Sequence, residues 1–147
     1  AIDDRFPVQE VSTGVPFIIV PLKNLEYLKK ARVDTDKFFA LVESTQAKSP
    51  LIFCPEARHE ANDLSVRVFV DYHGIPEDPA TGSGNGCLAG YLVQNRYFGE
   101  SRVDIRVEQG YEIGRPSLLY LKAEDAGEEI DVYVGGKCFL LAKGEFV

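Results

Sequence analysis

The run Gly74-Ile75-Pro76-Glu77-Asp78-Pro79-Ala80-Thr81-Gly82-Ser83-Gly84-Asn85-Gly86 gathers carboxylates, hydroxyls and glycines more densely than any other part of the sequence. It ends where an uncharged segment, Cys87–Val93, begins. The first N–H groups of a helix have no intrahelical acceptor and carry partial positive charge. A glycine-rich entry lets a carboxylate or oxyanion approach them closely. Pro79 fixes its own φ and biases Asp78 toward extended backbone, which holds the Asp78 carboxyl beside the helix mouth. An acid or base next to an anion cradle is what proton abstraction beside a carbonyl or carboxylate requires. Ser83 can cap the helix or bond the same ligand. The run also reads as ordinary turn and N-cap chemistry, and the pattern alone leaves both readings open.

Other motifs fail. Gly82 and Gly84 begin a GxGxxG, but Cys87 stands where the third glycine belongs, and no parallel βαβ pattern surrounds it. A P-loop lacks its Gly-Lys-Ser/Thr ending, and a nucleophile elbow would need glycines where Thr81 and Asn85 stand. Cys54, Cys87 and Cys138 form no CxxC, and neither His59 nor His73 lies at finger-like spacing to a cysteine, so free thiols and no metal site are expected. Cys87 reads as a packed core thiol. Arg115, between Gly114 and Pro116, offers a planar fork for a substrate carboxylate, or an ordinary surface ion pair.

These residues need a scaffold. Val8–Leu22, broken at Thr13-Gly14-Val15-Pro16, reads as two strands or one interrupted strand. Asn24 can cap a short helix carrying Leu25 and Leu28, and Asp34 or Thr35 another carrying Phe38, Phe39 and Val42. Strands are expected at Leu51–Cys54, Ser65–Asp71, Arg102–Glu108 and Leu118–Lys122, with Val103, Ile105 and Val107 forming a buried face. Asp131–Val134 and Lys137–Ala142 read as a hairpin about Gly135-Gly136. Between them Gly84–Tyr97 reads as a helix apolar on every face at its centre, so strands must envelop it. The fold class expected is α+β: a curled, mostly antiparallel, barrel-like sheet wrapped around a central buried helix.

At 147 residues and 45% hydrophobic content, a single domain over residues 1–147 is expected. With 23 acidic against 16 basic residues and a net charge of −7, no basic face awaits nucleic acid. The longest apolar stretches, such as Val15–Leu22, fall short of the ~20 residues that cross a bilayer, so no membrane partner and a cytoplasmic location are expected. The sequence opens on Ala1 and contains no methionine, which suggests a processing product or the start of a fragment.

The run Glu77–Ser83, with Ser12-Thr13-Gly14-Val15-Pro16-Phe17 upstream and Gln109-Gly110-Tyr111-Glu112-Ile113-Gly114-Arg115-Pro116-Ser117 downstream, resembles the C-terminal half of PhzF-like proteins of the diaminopimelate-epimerase fold. The resemblance implies two similar domains, each a sheet rolled around a helix, and a cofactor-independent isomerase or epimerase site in the cleft between them. It places Asp78 and Ser83 as catalytic residues, and Thr81, Gly82, Gly84 and Arg115 as substrate-binding ones, acting on a small carboxylate-bearing metabolite. The principal base, a Glu, and a helping His would lie in the N-terminal domain, which no part of this chain matches. The expected partner is therefore that N-terminal half as a separate chain, or a second copy in a homo-oligomer such as a dimer. The contrasting reading is a non-catalytic small-anion binding or regulatory module of the same fold.

Overall fold

The structure, a computed structural model, describes residues 1–147. Eight strands and three α-helices follow one another along the chain: β1 (Gln9–Ser12), β2 (Pro16–Pro21), α1 (Leu25–Lys30), α2 (Thr35–Glu43), β3 (Pro50–Cys54), β4 (Leu64–Val70), β5 (Ile75–Asp78), α3 (Gly82–Gln94), β6 (Arg102–Gln109), β7 (Ser117–Asp125) and β8 (Ile130–Gly136). They form one sheet in the order β1-β2-β3-β4-β6-β7-β8, with β5 also paired to β4. Only β2–β3 and β4–β6 pair in parallel. Both parallel pairs are joined by connections containing helices, as parallel neighbours require.

Period-two alternation sorts the strand residues into two layers. Leu51 and Phe53 of β3, Leu64, Val66 and Val68 of β4, Val103, Ile105 and Val107 of β6, and Leu119, Leu121 and Ala123 of β7 turn inward onto α3. Ile52, Cys54 and Phe69 turn outward and are covered by Leu28 of α1. Helix α3 has no solvent face between its ends: Gly84 through Val93 are all buried, and Leu88 and Leu92 are fully enclosed. The uncharged segment that marked this helix in the sequence is uncharged because it has sheet on nearly every side. The expected α+β fold, a curled and mostly antiparallel sheet around a buried helix, is the fold observed.

Caps fix the two outer helices where the sequence places them. Asn24 accepts from the Tyr27 N–H at 3.0 Å, and Asp34 from the Lys37 N–H at 3.2 Å. Three details differ from expectation. Helix α3 spans Gly82–Gln94 and is preceded by Thr81, not by Ser83, which is its second residue. Strand β5 lies inside the run that also reads as turn and N-cap chemistry, where no strand is expected. Gly135 and Gly136 do not turn the chain: they finish β8, opposite Tyr120 and Leu119. The expected hairpin of Asp131–Val134 with Lys137–Ala142 is absent: β8 pairs with β7 through a turn at Ala126–Glu129, where the Ala126 N–H meets the Glu129 carbonyl at 2.9 Å and Gly127 takes φ 98°. Residues 137–147 form no helix or strand. No helix is long and apolar enough to cross a membrane.

Candidate active site

The pairing edge of β4 is shared by two strands. β6 runs parallel to its first half, with Gln109 opposite Val66, and β5 runs antiparallel to its second half, with Asp78 opposite Val68. The C-terminal ends of β5 and β6 thus meet beside the middle of β4, and the chain turns from that meeting point through Pro79 and Ala80 into α3. Two strand ends and a helix start are thereby brought to one spot, and the residues expected to do chemistry lie there.

Asp78 closes β5, half-buried and extended as Pro79 requires. Its Oδ2 accepts from the Thr81 hydroxyl at 2.5 Å. That hydroxyl in turn accepts from Gln109 Nε2 at 2.9 Å, so the lone pair facing Gln109 is occupied and its proton is directed at Asp78. The same Gln109 amide donates to the Asp78 carbonyl at 2.7 Å, and its Oε1 accepts from the Thr81 N–H at 3.2 Å and from Asn85 Nδ2 at 2.8 Å. Gln109 is almost completely buried and fully satisfied. It ties β5, β6 and α3 together and fixes the pose of the Asp78–Thr81 pair.

Thr81 precedes α3 with extended backbone but makes no side-chain cap bond, because its hydroxyl is spent on Asp78. Gly82 and Ser83 are exposed, and their N–H groups meet no acceptor within the chain. The helix therefore presents free donors, at the positive end of its dipole, next to a carboxylate. Gly84 has a packing role as well: a Cβ there would lie 3.1 Å from the Phe17 ring and 3.3 Å from Leu51. Gly82 and Arg115 line a common cavity of about 720 Å³ with Ala80, Ser117 and Phe139, whereas Asp78, Thr81 and Ser83 do not line it. Arg115 is exposed and its guanidinium makes no ion pair. Its loop is held down by its own N–H, which donates to the Gly110 carbonyl at 2.9 Å. Gly110 takes φ 82°, and a Cβ there would stand 2.8 Å from the Pro79 carbonyl oxygen, so only glycine lets this loop approach the Asp78-Pro79 turn.

Three buried charges support the site from behind. Arg67 grips Glu77 through Nε to Oε1 at 3.0 Å and Nη2 to Oε2 at 2.7 Å. Its Nη1 donates to the carbonyls of Leu28 and Ala31 at 3.0 and 2.9 Å, satisfying the end of α1. This bidentate pair locks β5 to β4 one residue before Asp78. Glu108, one residue before Gln109, receives the Arg58 and His59 N–H groups at 2.7 and 3.0 Å and Asn62 Nδ2 at 2.8 Å. Burial pushes its carboxyl up, but those donors outweigh it and hold it below its ordinary value.

Sequence reasoning brought Asp78, Thr81, Gly82, Ser83 and Gly84 to one junction and Arg115 near it. It missed the roles of Gln109, Asn85, Arg67 and Glu77. The one available signal was an arginine among the valines of β4. Asn85 is fully buried and its Oδ1 has no partner in the chain. Cys87 is a packed thiol, 3.4 Å from the Val15 carbonyl. His59 and His73 stay on the surface. No cluster of three or more His, Cys, Asp or Glu side chains could hold a metal ion.

Residues 1–144 match the family model described as PhzC-PhzF, phenazine biosynthesis-like protein. The chain is 39% identical over 146 residues to the trans-2,3-dihydro-3-hydroxyanthranilate isomerase of Pseudomonas fluorescens, covering 99% of this chain and 49% of that protein. It is 30% identical over 138 residues to an uncharacterized isomerase of Mesorhizobium japonicum, covering 91% and 46%. Among solved structures, a Bacillus anthracis phenazine biosynthesis protein of the PhzF family superposes with a TM-score of 0.80 at 25% identity, covering 92% of this chain and 46% of that one. The chain spans about half the length of the curated relatives it matches.

Proposed function

The chain belongs to the PhzC-PhzF family of phenazine biosynthesis-like proteins, and on that premise we propose that it supplies one side of a cofactor-independent isomerase site that moves a proton on a small carboxylate-bearing metabolite. One observation carries the reading. At a single junction, a carboxylate posed by a directed hydroxyl stands beside a helix start with unspent N–H groups. The reaction class is supported by the names of the relatives, which are isomerases.

In this reading Asp78 takes a proton from the substrate, or returns one to it, or orients a polar substituent. Negative charge developing on the substrate is met by the Gly82 and Ser83 N–H groups and the Ser83 hydroxyl, which cost no reorganisation because the helix already points them outward. Arg115 receives a carboxylate through its planar fork. Thr81 acts on Asp78 and not directly on substrate, since its hydroxyl is committed. A proton shift needs carriers on two sides of the reacting atoms and a cleft from which water is excluded. We assign the second carrier to an opposing domain, so that residues 1–147 form one domain equivalent to the C-terminal half of the relatives. That domain comes from the N-terminal half as a separate chain or from a homo-oligomer.

The test is substitution in the reconstituted enzyme. Asp78→Asn keeps an acceptor for the Thr81 hydroxyl but cannot carry a proton, so turnover falls by about 10²-fold or more while the urea midpoint stays. Ser83→Ala costs less. If Asp78→Asn unfolds the domain and activity per folded molecule is unchanged, Asp78 belongs only to the turn that starts α3.

A further inference from the structure

Helix α1 is too short to cover the sheet face on which it lies. Its six residues span ~9 Å at 1.5 Å per residue, whereas the seven residues of β4, whose Phe69 packs on Leu28, run ~23 Å. Leu28 therefore covers only part of that outer face. The rest opens between α1 and α2 as a cleft of about 490 Å³, within the ~300–1,000 Å³ of small-molecule sites. The sheet and its margin contribute Leu22, Ile52 and Phe69, and the helices with their connection contribute Val33, Phe38 and Leu41. The cleft lies on the sheet face turned away from α3 and shares no residue with the cavity that holds Gly82 and Arg115.

Charge at the rim indicates the occupant. The chain has a net charge of −7, yet the charged side chains that line this cleft are Lys30, Arg32 and Lys37 against Asp34 alone. Asp34 is spent, because it caps α2 through the Lys37 N–H and pairs with Lys37 Nζ at 2.9 Å. Lys30 is paired with Glu26. Arg32 has no carboxylate partner. Its Nη1 is anchored on the Lys29 and Ala31 carbonyls at 3.1 and 2.7 Å, which fixes the guanidinium at the end of α1 and leaves Nε and Nη2 unspent. An anchored cation with a free edge beside an apolar cleft suits a ligand with an apolar body and one terminal anion. We propose that the cleft binds a small amphipathic carboxylate, a medium-chain acyl or aryl acid, with its apolar body between α1 and α2 and its carboxylate on Arg32.

The test titrates the 147-residue chain with octanoate and with octan-1-ol, probes of equal length that differ in charge, and follows backbone amide shifts by NMR. Octanoate is expected to bind saturably, one to one, with Kd below about 1 mM. Val33, Leu41 and Ile52 should shift, and Gly82 and Arg115 should not. Octanol should shift the same residues but bind at least about tenfold more weakly. Arg32→Gln should weaken octanoate at least about tenfold and change octanol by less than about twofold. Its urea midpoint should match the wild type, because Arg32 is exposed. Leu41→Asp places a carboxylate at a half-exposed position of the cleft and should weaken both probes, so it carries the test should Arg32→Gln not fold. Absence of saturable octanoate binding overturns the proposal. So does octanol binding as tightly as octanoate, octanoate binding indifferent to Arg32→Gln or to Leu41→Asp, or shifts centred on Gly82 and Arg115.

Discussion

Replacing Gln109 with leucine removes, at nearly constant volume, the amide that joins β5, β6 and α3. Four hydrogen bonds are lost: to the Asp78 carbonyl, to Thr81 Oγ1, from the Thr81 N–H and from Asn85 Nδ2. They are not equally costly. Asn85 Nδ2 keeps the Thr81 carbonyl at 2.9 Å, and water reaches the half-buried Asp78 and Thr81 in part. At ~1–3 kcal/mol for each buried group left unpaired, the net loss is about 2–4 kcal/mol. Urea unfolding of a small domain has a slope of roughly 1–3 kcal/mol per molar, so the midpoint should fall by roughly 1–2 M with the slope unchanged. Thr81→Val removes the same hydroxyl link from the other end. If the two act through one network, the double variant is less destabilised than the sum, by ~0.5–3 kcal/mol. A midpoint shift under about 0.3 M, or strict additivity, refutes the latch.

Leu92→Ala should cost ~2–5 kcal/mol in the same assay, because this side chain is fully enclosed on α3 and the sheet around it cannot collapse into the space. Glu108 gives a pH signature. Its folded carboxyl titrates below the ordinary 4.5, so its stabilisation is present above about pH 4.5 and is lost as pH falls through the lower folded value. Glu108→Gln should therefore lower the urea midpoint at pH 7 and narrow the gap to the wild type as the pH drops toward 3; a gap independent of pH would contradict the assignment.

The parts of the fold legible in the sequence are those written in apolar periodicity and caps. Asn24 and Asp34 announce α1 and α2, the alternation of Val103, Ile105 and Val107 announces the half-wet β6, and an all-apolar run announces the enveloped α3. Elements held by polar burial were not legible. β5 has a proline and two carboxylates in four residues, and its buried position belongs to Glu77, which is inside only because Arg67 meets it across the sheet. Gln109 is buried for the same kind of reason, with every polar atom spent on residues distant in sequence or across a turn. The Gly135-Gly136 pair misled because glycine permits a turn without requiring one; the β7 register decides that it is strand. For the site, residue types and spacing located the junction and left its meaning open between turn and catalysis. The resemblance to PhzF-like proteins pointed to a family that the comparisons then established.

The central claim is that this chain carries one half of a proton-moving site. It is tested most directly by incubating a candidate carboxylate substrate in deuterated water with the chain alone, with the complementary half alone, and with both, and following deuterium on the substrate carbon by mass spectrometry. Incorporation is expected only when both halves are present, and is lost when Asp78→Asn replaces the wild-type chain. Incorporation by the 147-residue chain alone as a monomer would contradict it, because both proton carriers would then lie within these residues.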